Sequence, residues 1–149
     1  MVFIINEWLW ADASGDNGRD AQRQTLDIME WLASSEHQIV VIEGSPFDRK
    51  AWALCKSTTT VPVILAKTFV TNIRQNSNRC IVLTSEQTAE LPHELSISVK
   101  PDDHYLVRAQ LGVADSTLVT TDQPLRDKLT AIGLPCLSRD EFLTEYVNV

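Results

Sequence analysis

Two acidic segments late in the chain carry the residues best suited to chemistry. Asp102 and Asp103 stand at the predicted start of a helix, and Asp122 follows the short apolar strand predicted at 117–120. Ligands collect at the carboxyl ends of the strands in parallel α/β sheets, so these carboxylates are expected to meet at one sheet edge. Because paired carboxylates are ligands of hard cations such as Mg²⁺, the pattern predicts a metal site.

Each of these aspartates also has a purely structural interpretation. Asp122 precedes a helix with proline in its first turn, and aspartate is a favoured N-cap residue. Asp103, with Asp102 as the alternative, can begin its helix in the same way. The hydroxyls of Thr120 and Thr121 could position a phosphate or a water, although β-branched residues also belong in a strand.

Composition excludes several classes of function. The chain has 149 residues, 44% of them hydrophobic and 22% charged, and these values indicate one globular domain over residues 1–149. No apolar run is long enough to cross a membrane, and the first residues lack the basic leader of a signal peptide. The net charge of −7 argues against broad phosphate binding, which needs basic patches. A cytoplasmic domain with no membrane partner is therefore expected.

Cysteine and histidine do not suggest a metal or redox site. The three cysteines, Cys55, Cys80 and Cys136, are widely spaced and include no C-x-x-C pair, so neither a disulfide framework nor a zinc site is expected. No motif flanking Cys80 indicates a nucleophile. Only three histidines are present, so a metal site should be built from oxygen ligands.

Apolar periodicity predicts strands alternating with helices. Short β-branched runs predict strands at 2–5, 38–42, 80–84, 97–99, 117–120 and 135–137. Stripes with helical spacing predict helices at 20–34, 45–55, 61–73, 105–111, 125–132 and 138–146, with a polar loop at 12–19. Ser45 and Ser138 each begin a capping-box pattern. The alternation predicts a three-layer α/β/α fold with a mostly parallel central sheet.

Aromatic and basic side chains supply candidate contacts to a nucleic acid. Trp8 and Trp10 alternate after the first strand and are expected to cover a sheet edge or a partner surface, whereas Trp31 and Trp52 fit the core. The candidate phosphate-contacting arginines are Arg74, Arg79, Arg108 and Arg126. Solvated surface charge is the plainer interpretation of all four.

The last third of the chain resembles the C-terminal half of PIN domains, small α/β/α nucleases that include many toxins of bacterial toxin–antitoxin pairs. The family pattern there is an aspartate opening a helix that contains an alanine, a Gly-Ala-Asp-like turn, an apolar strand and Thr-x-Asp. This chain carries Asp103, Ala109, Gly-Val-Ala-Asp at 112–115 and Thr-Thr-Asp at 120–122. Residues 132–143 are similar to the family's final strand and helix.

The resemblance implies a site of four acidic residues, and two of those positions depart from the pattern in this chain. The first family acid follows strand one, where this chain has Asn6, a neutral oxygen ligand. Glu7 would point to the opposite face of a continued strand, and Asp12 could reach the site if its loop folds back. The second family acid is matched by Asp48 or by Glu43, and a capping-box acid is the structural alternative for Asp48.

The implied activity is metal-dependent hydrolysis of phosphodiester bonds in single-stranded RNA. The expected catalytic residues are Asp103, Asp122 and Asp48. The expected ligands of Mg²⁺ or Mn²⁺ are Asn6, Asp103, Asp122 and Glu43. Two alternatives stay open: a catalytically weakened PIN-like domain that binds RNA or protein, which Asn6 favours, and an unrelated doubly wound domain. An antitoxin partner and a homodimer are both compatible with the resemblance.

Overall fold

Five parallel strands form the centre of the computed structural model, which describes residues 1–149. The strands are β1 (Val2–Ile5), β2 (Gln38–Ile42), β3 (Cys80–Leu83), β4 (Ser116–Val119) and β5 (Cys136–Leu137). They lie in the order β3-β2-β1-β4-β5, and every pairing is parallel. The predicted α/β/α architecture with a parallel central sheet is confirmed.

Eight α-helices cover the two faces of the sheet. They are α1 (Trp8–Ala13), α2 (Arg19–Ser34), α3 (Pro46–Leu54), α4 (Thr60–Phe69), α5 (His93–Ser98), α6 (His104–Gly112), α7 (Gln123–Ala131) and α8 (Arg139–Phe142). Helices α4 and α8 continue as π-helical turns over Val70–Arg74 and Leu143–Val147. None of the helices is long and apolar enough to pass through a membrane.

Alternating side chains in the strands divide the core into two layers. In β1, Phe3 and Ile5 point to the face covered by α1 to α4 and α8, whereas Ile4 points to the face covered by α5, α6 and α7. In β4, Val119 and Leu118 divide in the same way. Because both faces of the sheet are buried, β1 is a continuous apolar run, as parallel strands usually are, and all four residues of β4 are buried.

Strands β1 and β4 are neighbours whose connections leave toward opposite faces. The chain after β1 enters α1 and α2 on one face, whereas the chain after β4 enters α7 on the other. The two strands pair from Val2 opposite Ser116 to Ile5 opposite Val119, so they end at the same level. A crevice at such a divergence is where open parallel sheets bind ligands.

One predicted strand is wrong. Residues 97–99 are the end of α5 and the residue that follows it. Leu95 and Val99 are both buried against the sheet, and they lie four positions apart, which is the spacing of neighbours on one helix face. A three-residue apolar run cannot distinguish a strand from the end of such a helix.

Helix α1 and the positions of three tryptophans differ from what the sequence predicts. The predicted loop at 12–19 begins inside the last turn of α1. Trp8 and Trp10 lie in this helix and are buried, so they do not cover a sheet edge or a partner surface. The Trp8 indole donates to the Val119 carbonyl at 3.0 Å, a contact that only the folded sheet provides. Trp52, which was expected in the core, is 40% exposed.

Candidate functional site

A polar bridge between Asn6 and Thr120 joins the carboxyl ends of β1 and β4. The Asn6 side-chain amide donates to the Thr120 hydroxyl at 2.8 Å, and the Asn6 side-chain oxygen, Oδ1, accepts the Trp8 backbone N–H at 3.1 Å. Thr120 is fully buried, and its hydroxyl also accepts the Asp122 N–H at 3.2 Å. Asn6 therefore turns the chain from β1 into α1 and ties that turn to β4.

Asp122 begins α7 as its N-cap. Its Oδ1 accepts the Leu125 N–H at 3.1 Å, which confirms the capping interpretation. This bond occupies one of the two carboxylate oxygens. A carboxylate carries several acceptor sites, so capping and binding a cation are compatible roles for Asp122.

Asp103 shares a small cleft with Asp122. The cleft has a volume of about 20 Å³, and Lys100 and Lys128 also line it. Burial raises the pKa of the Asp103 carboxyl above its ordinary value, and the neighbouring Asp122 charge raises it further. Asp102 is exposed and does not line the cleft, so Asp103 is the partner of Asp122 in this pair.

Glu7 adds negative charge at the same edge of the sheet, which is the edge formed by the carboxyl ends of the strands. Strand β1 ends at Ile5, so Glu7 occupies the N-cap position of α1 and does not point away on a continued strand. Its carboxylate pairs with Lys50 at 3.0 Å, and its charge contributes to the raised pKa of Asp103. The Tyr105 hydroxyl is buried, and burial, followed by the charge of Glu7, raises its pKa.

Asp12 is buried in α1 and is engaged by other side chains. The Arg139 guanidinium donates to Asp12 at 2.6 Å, and the Asn17 amide donates to it at 2.7 Å. Gln24 accepts a further hydrogen bond from the same guanidinium. Asp12 therefore neutralises Arg139 and does not join the Asp103–Asp122 pair. Because Asp12 and Arg139 lie 127 positions apart, no local sequence pattern could have linked them.

Asp48 is held by Arg74 in a buried ion pair. The guanidinium donates to both carboxylate oxygens, at 2.9 and 3.3 Å, and the Gly44 N–H donates at 3.0 Å. The hydrogen bond from Arg74 to Asp48 raises the pKa of Arg74. The Ser45 hydroxyl accepts the Asp48 N–H, which confirms the predicted helix start. The Asp48 carboxylate accepts the Gly44 N–H and not the Ser45 N–H, so the second hydrogen bond of a capping box is absent.

The second predicted acid does not join the pair at the edge. Glu43 follows β2 and is exposed, and neither Glu43 nor Asp48 lines the cleft of Asp103 and Asp122. No three histidine, cysteine, aspartate or glutamate side chains lie together in a group able to hold a metal ion. This edge has a cleft with two carboxylates, whereas the resemblance to PIN domains implies a site of four acidic residues.

Two wider openings are lined by other residues near the carboxyl ends of β1 and β4. A cavity of about 700 Å³ is lined mainly by polar side chains: Asn6, Glu7, Asp12, Asn17, Gln24, Lys50, Thr121 and Arg139. A second cleft of about 290 Å³ shares Thr121 and Arg139 with it and adds Arg126, Ser138 and Asp140. Lys50 and Arg139 are not among the predicted site residues, because distant partners bring them to the edge.

One of the four candidate arginines lies at the edge. Arg126 donates to the Thr120 carbonyl at 2.6 Å and to the Gln123 side chain at 2.8 Å. The other three bind Asp48 or backbone carbonyl groups elsewhere: Arg74, Arg79 and Arg108.

No protein-family model, curated protein or solved structure matches this chain.

Proposed function

We propose that the chain is a PIN-like nuclease that hydrolyses phosphodiester bonds in single-stranded RNA with the help of Mg²⁺ or Mn²⁺. The observation that carries the proposal is the cleft shared by Asp103 and Asp122. It lies beside the divergence of β1 and β4, the position at which parallel sheets bind ligands. The resemblance of residues 102–125 to PIN domains supplies the substrate class.

The pair of carboxylates suits a cation that keeps much of its water shell. Mg²⁺ is commonly bound through one or two carboxylates together with substrate phosphates. A water molecule needs about 10–15 Å³, so the cleft of about 20 Å³ has room for the ion itself, and the waters that the ion keeps would lie outside the cleft. A cation there would relieve the repulsion by Asp122 that helps to raise the pKa of Asp103. Affinity should be weak, because Asn6 brings no charge and ligand charge tunes the binding of hard cations.

The contribution of the chain is to hold these ligands in place. A divalent cation, when bound, supplies positive charge to phosphoryl oxygens and a water of lowered pKa. The Leu125 N–H fixes one oxygen of Asp122. The bridge from Asn6 to Thr120 holds the ends of β1 and β4 together, and Thr120 in turn accepts the Asp122 N–H. Lys50 balances part of the negative charge through Glu7.

A PIN-like domain that binds RNA or a protein without cleaving RNA is the second candidate. Two observations favour it. Asn6 uses both ends of its amide in bonds that stabilise the fold, and Asp48 is fully engaged by Arg74 and Gly44. Under this hypothesis, divalent cations leave bound RNA intact.

Cleavage of a mixed single-stranded RNA pool, with and without Mn²⁺, tests the proposal. Asp122→Asn should abolish cleavage and preserve the fold, because asparagine caps helices about as well as aspartate does. Asp127→Asn is the matched control, since Asp127 is an exposed aspartate on the same helix. If the natural chain and Asp122→Asn cleave RNA equally, the proposed site is wrong. If the natural chain binds RNA but never cleaves it, the binding module replaces the nuclease.

A further inference from the structure

The cleft of about 290 Å³ beside Thr121 is lined only by polar and charged side chains. They are Thr121, Arg126, Ser138, Arg139 and Asp140. Thr121 directly precedes Asp122, so this cleft adjoins the proposed acidic site. The absence of hydrophobic side chains makes it better suited to a polar or charged ligand than to a hydrophobic one.

Arg126 carries a positive charge that no carboxylate in the chain neutralises. Its two hydrogen bonds go to neutral acceptors, the Thr120 carbonyl at 2.6 Å and the Gln123 side chain at 2.8 Å. None of the ion pairs in the structure includes it. A guanidinium has five N–H donors, so these two bonds orient the group and leave donors free for a ligand. A fixed and uncompensated guanidinium matches the geometry of a phosphate group.

Arg139 and Asp140 have different roles in the same cleft. Asp12 neutralises Arg139 from inside the protein, so Arg139 offers donors rather than net charge. Asp140 lies 3.4 Å from Arg139, and its side chain is 92% exposed, so solvent screens its repulsion of an anion. The exposed Thr121 hydroxyl is a further donor. Arg126 is therefore the cation of this cleft that no ion pair engages.

The clefts at this edge carry as many basic as acidic side chains, whereas the protein as a whole is acidic. The net charge is −7, yet five of the 13 lysines and arginines line the clefts beside the carboxyl ends of β1 and β4. They are Lys50, Lys100, Arg126, Lys128 and Arg139. Five carboxylates line the same clefts, so the formal charges there cancel, and this edge repels an anion less than the rest of the acidic surface does: Glu7, Asp12, Asp103, Asp122 and Asp140.

We propose that the cleft of Thr121, Arg126 and Ser138 binds a backbone phosphate of single-stranded nucleic acid, one that flanks the bond presented to Asp103 and Asp122. This inference rests on the proposed function, since it names where the strand lies beside the acidic pair. Contact with a flanking phosphate requires a chain of several nucleotides, and it carries no base preference. Arg126 is a positioning residue here: it binds substrate away from the reacting atoms.

Binding of a short single-stranded RNA, measured by fluorescence anisotropy in EDTA, tests this separately from catalysis. Arg126→Gln should weaken binding about tenfold at low salt, because a hydrogen bond to a charged group is lost. It should also reduce the slope of log K against log salt by about 0.7, the value for one phosphate on a single strand. Arg79→Gln is the matched control, because Arg79 also holds a backbone carbonyl but precedes β3 at the opposite edge.

Further arms separate the sources of the phosphate and guard against misfolding. DNA of the same sequence should lose the same slope, and inorganic phosphate should bind much more weakly than either oligonucleotide. If circular dichroism shows that Arg126→Gln is unfolded, Thr121→Glu at an exposed position replaces it as the test variant, and Thr121→Glu should weaken RNA binding. The inference is overturned if Arg126→Gln binds like Arg79→Gln, if inorganic phosphate binds as tightly as RNA, or if the natural chain binds no oligonucleotide. Binding that depends on Arg126 without any cleavage would keep this inference and reject the nuclease.

Discussion

Replacing Asp48 with alanine should destabilise the fold strongly and leave divalent-metal affinity unchanged. Asp48 accepts hydrogen bonds from Arg74 at 2.9 and 3.3 Å and from the Gly44 N–H at 3.0 Å. The Asp48 side chain is 4% exposed and that of Arg74 is 13% exposed, so water cannot replace these bonds. Asp48→Ala would leave a buried guanidinium without its counter-ion.

The expected loss follows from this burial. Breaking a buried pair by removing one partner costs about 3–5 kcal/mol. That is a large share of the roughly 5–15 kcal/mol by which most domains are stable. At this chain length it should lower Tm by roughly 6–20 °C. Replacing both partners with apolar residues, as in Asp48→Leu with Arg74→Met, should cost less than Asp48→Ala, because no unpaired charge stays buried.

Urea unfolding monitored by circular dichroism measures this loss, and calorimetric titration with Mn²⁺ measures metal affinity. Asp127→Ala is the control, since an exposed aspartate should change the free energy of unfolding by less than about 0.5 kcal/mol. The structural role of Asp48 would be refuted by a loss below about 1 kcal/mol. It would also be refuted if folded Asp48→Ala lost the Mn²⁺ affinity that Asp127→Ala keeps.

Three further predictions concern the edge and the aromatic core. Asn6→Asp should raise Mn²⁺ affinity and RNA cleavage, because it adds ligand charge at nearly constant volume; calorimetry and the RNA assay would show no gain if Asn6 is purely structural. Asp103→Asn should raise Tm at pH 7, because a carboxyl with a raised pKa stabilises the fold at low pH and loses that contribution as pH rises through the folded pKa. The same substitution should weaken Mn²⁺ binding. A Tm unchanged at both pH 7 and pH 4 would contradict the first expectation. His37 stacks on Trp31, and burial lowers its pKa, so stability should be full above pH about 6.5 and fall as pH drops below it. His37→Gln should flatten the unfolding free energy between pH 7 and pH 5, and an equally steep profile would count against this role.

The sequence was a good guide to elements whose signals are local. Strands β1 and β2 were predicted with the bounds they have, because their β-branched runs are buried on both faces. The starts of α3, α7 and α8 were predicted from Ser45, Asp122 and Ser138, each of which accepts a backbone N–H three residues ahead. A cap bond joins neighbours in sequence, so its signal survives without knowledge of the fold.

The sequence was a poor guide where the signal lies in distant contacts. Helix α1 forms around Trp8 and Trp10, and the latter packs against Phe47 and Phe69 with ring centroids 5.3 and 5.0 Å apart. The six-residue helix has no side-chain cap, so little in its own sequence marks it. Isolated helices of this length are unstable in water, and tertiary packing supplies what local propensity lacks.

The candidate site also depends partly on local sequence and partly on the tertiary structure. The residue types of Asp103 and Asp122, and their positions at element ends, are properties of the sequence. Their meeting in one cleft depends on the strand order that places β4 beside β1, and the bridge from Asn6 to Thr120 spans 114 positions. Only the folded chain commits Asp48 to a buried arginine and leaves Arg126 without a carboxylate partner. Local periodicity determines which elements form, whereas pairing between side chains depends on distances that exist only after the sheet has assembled.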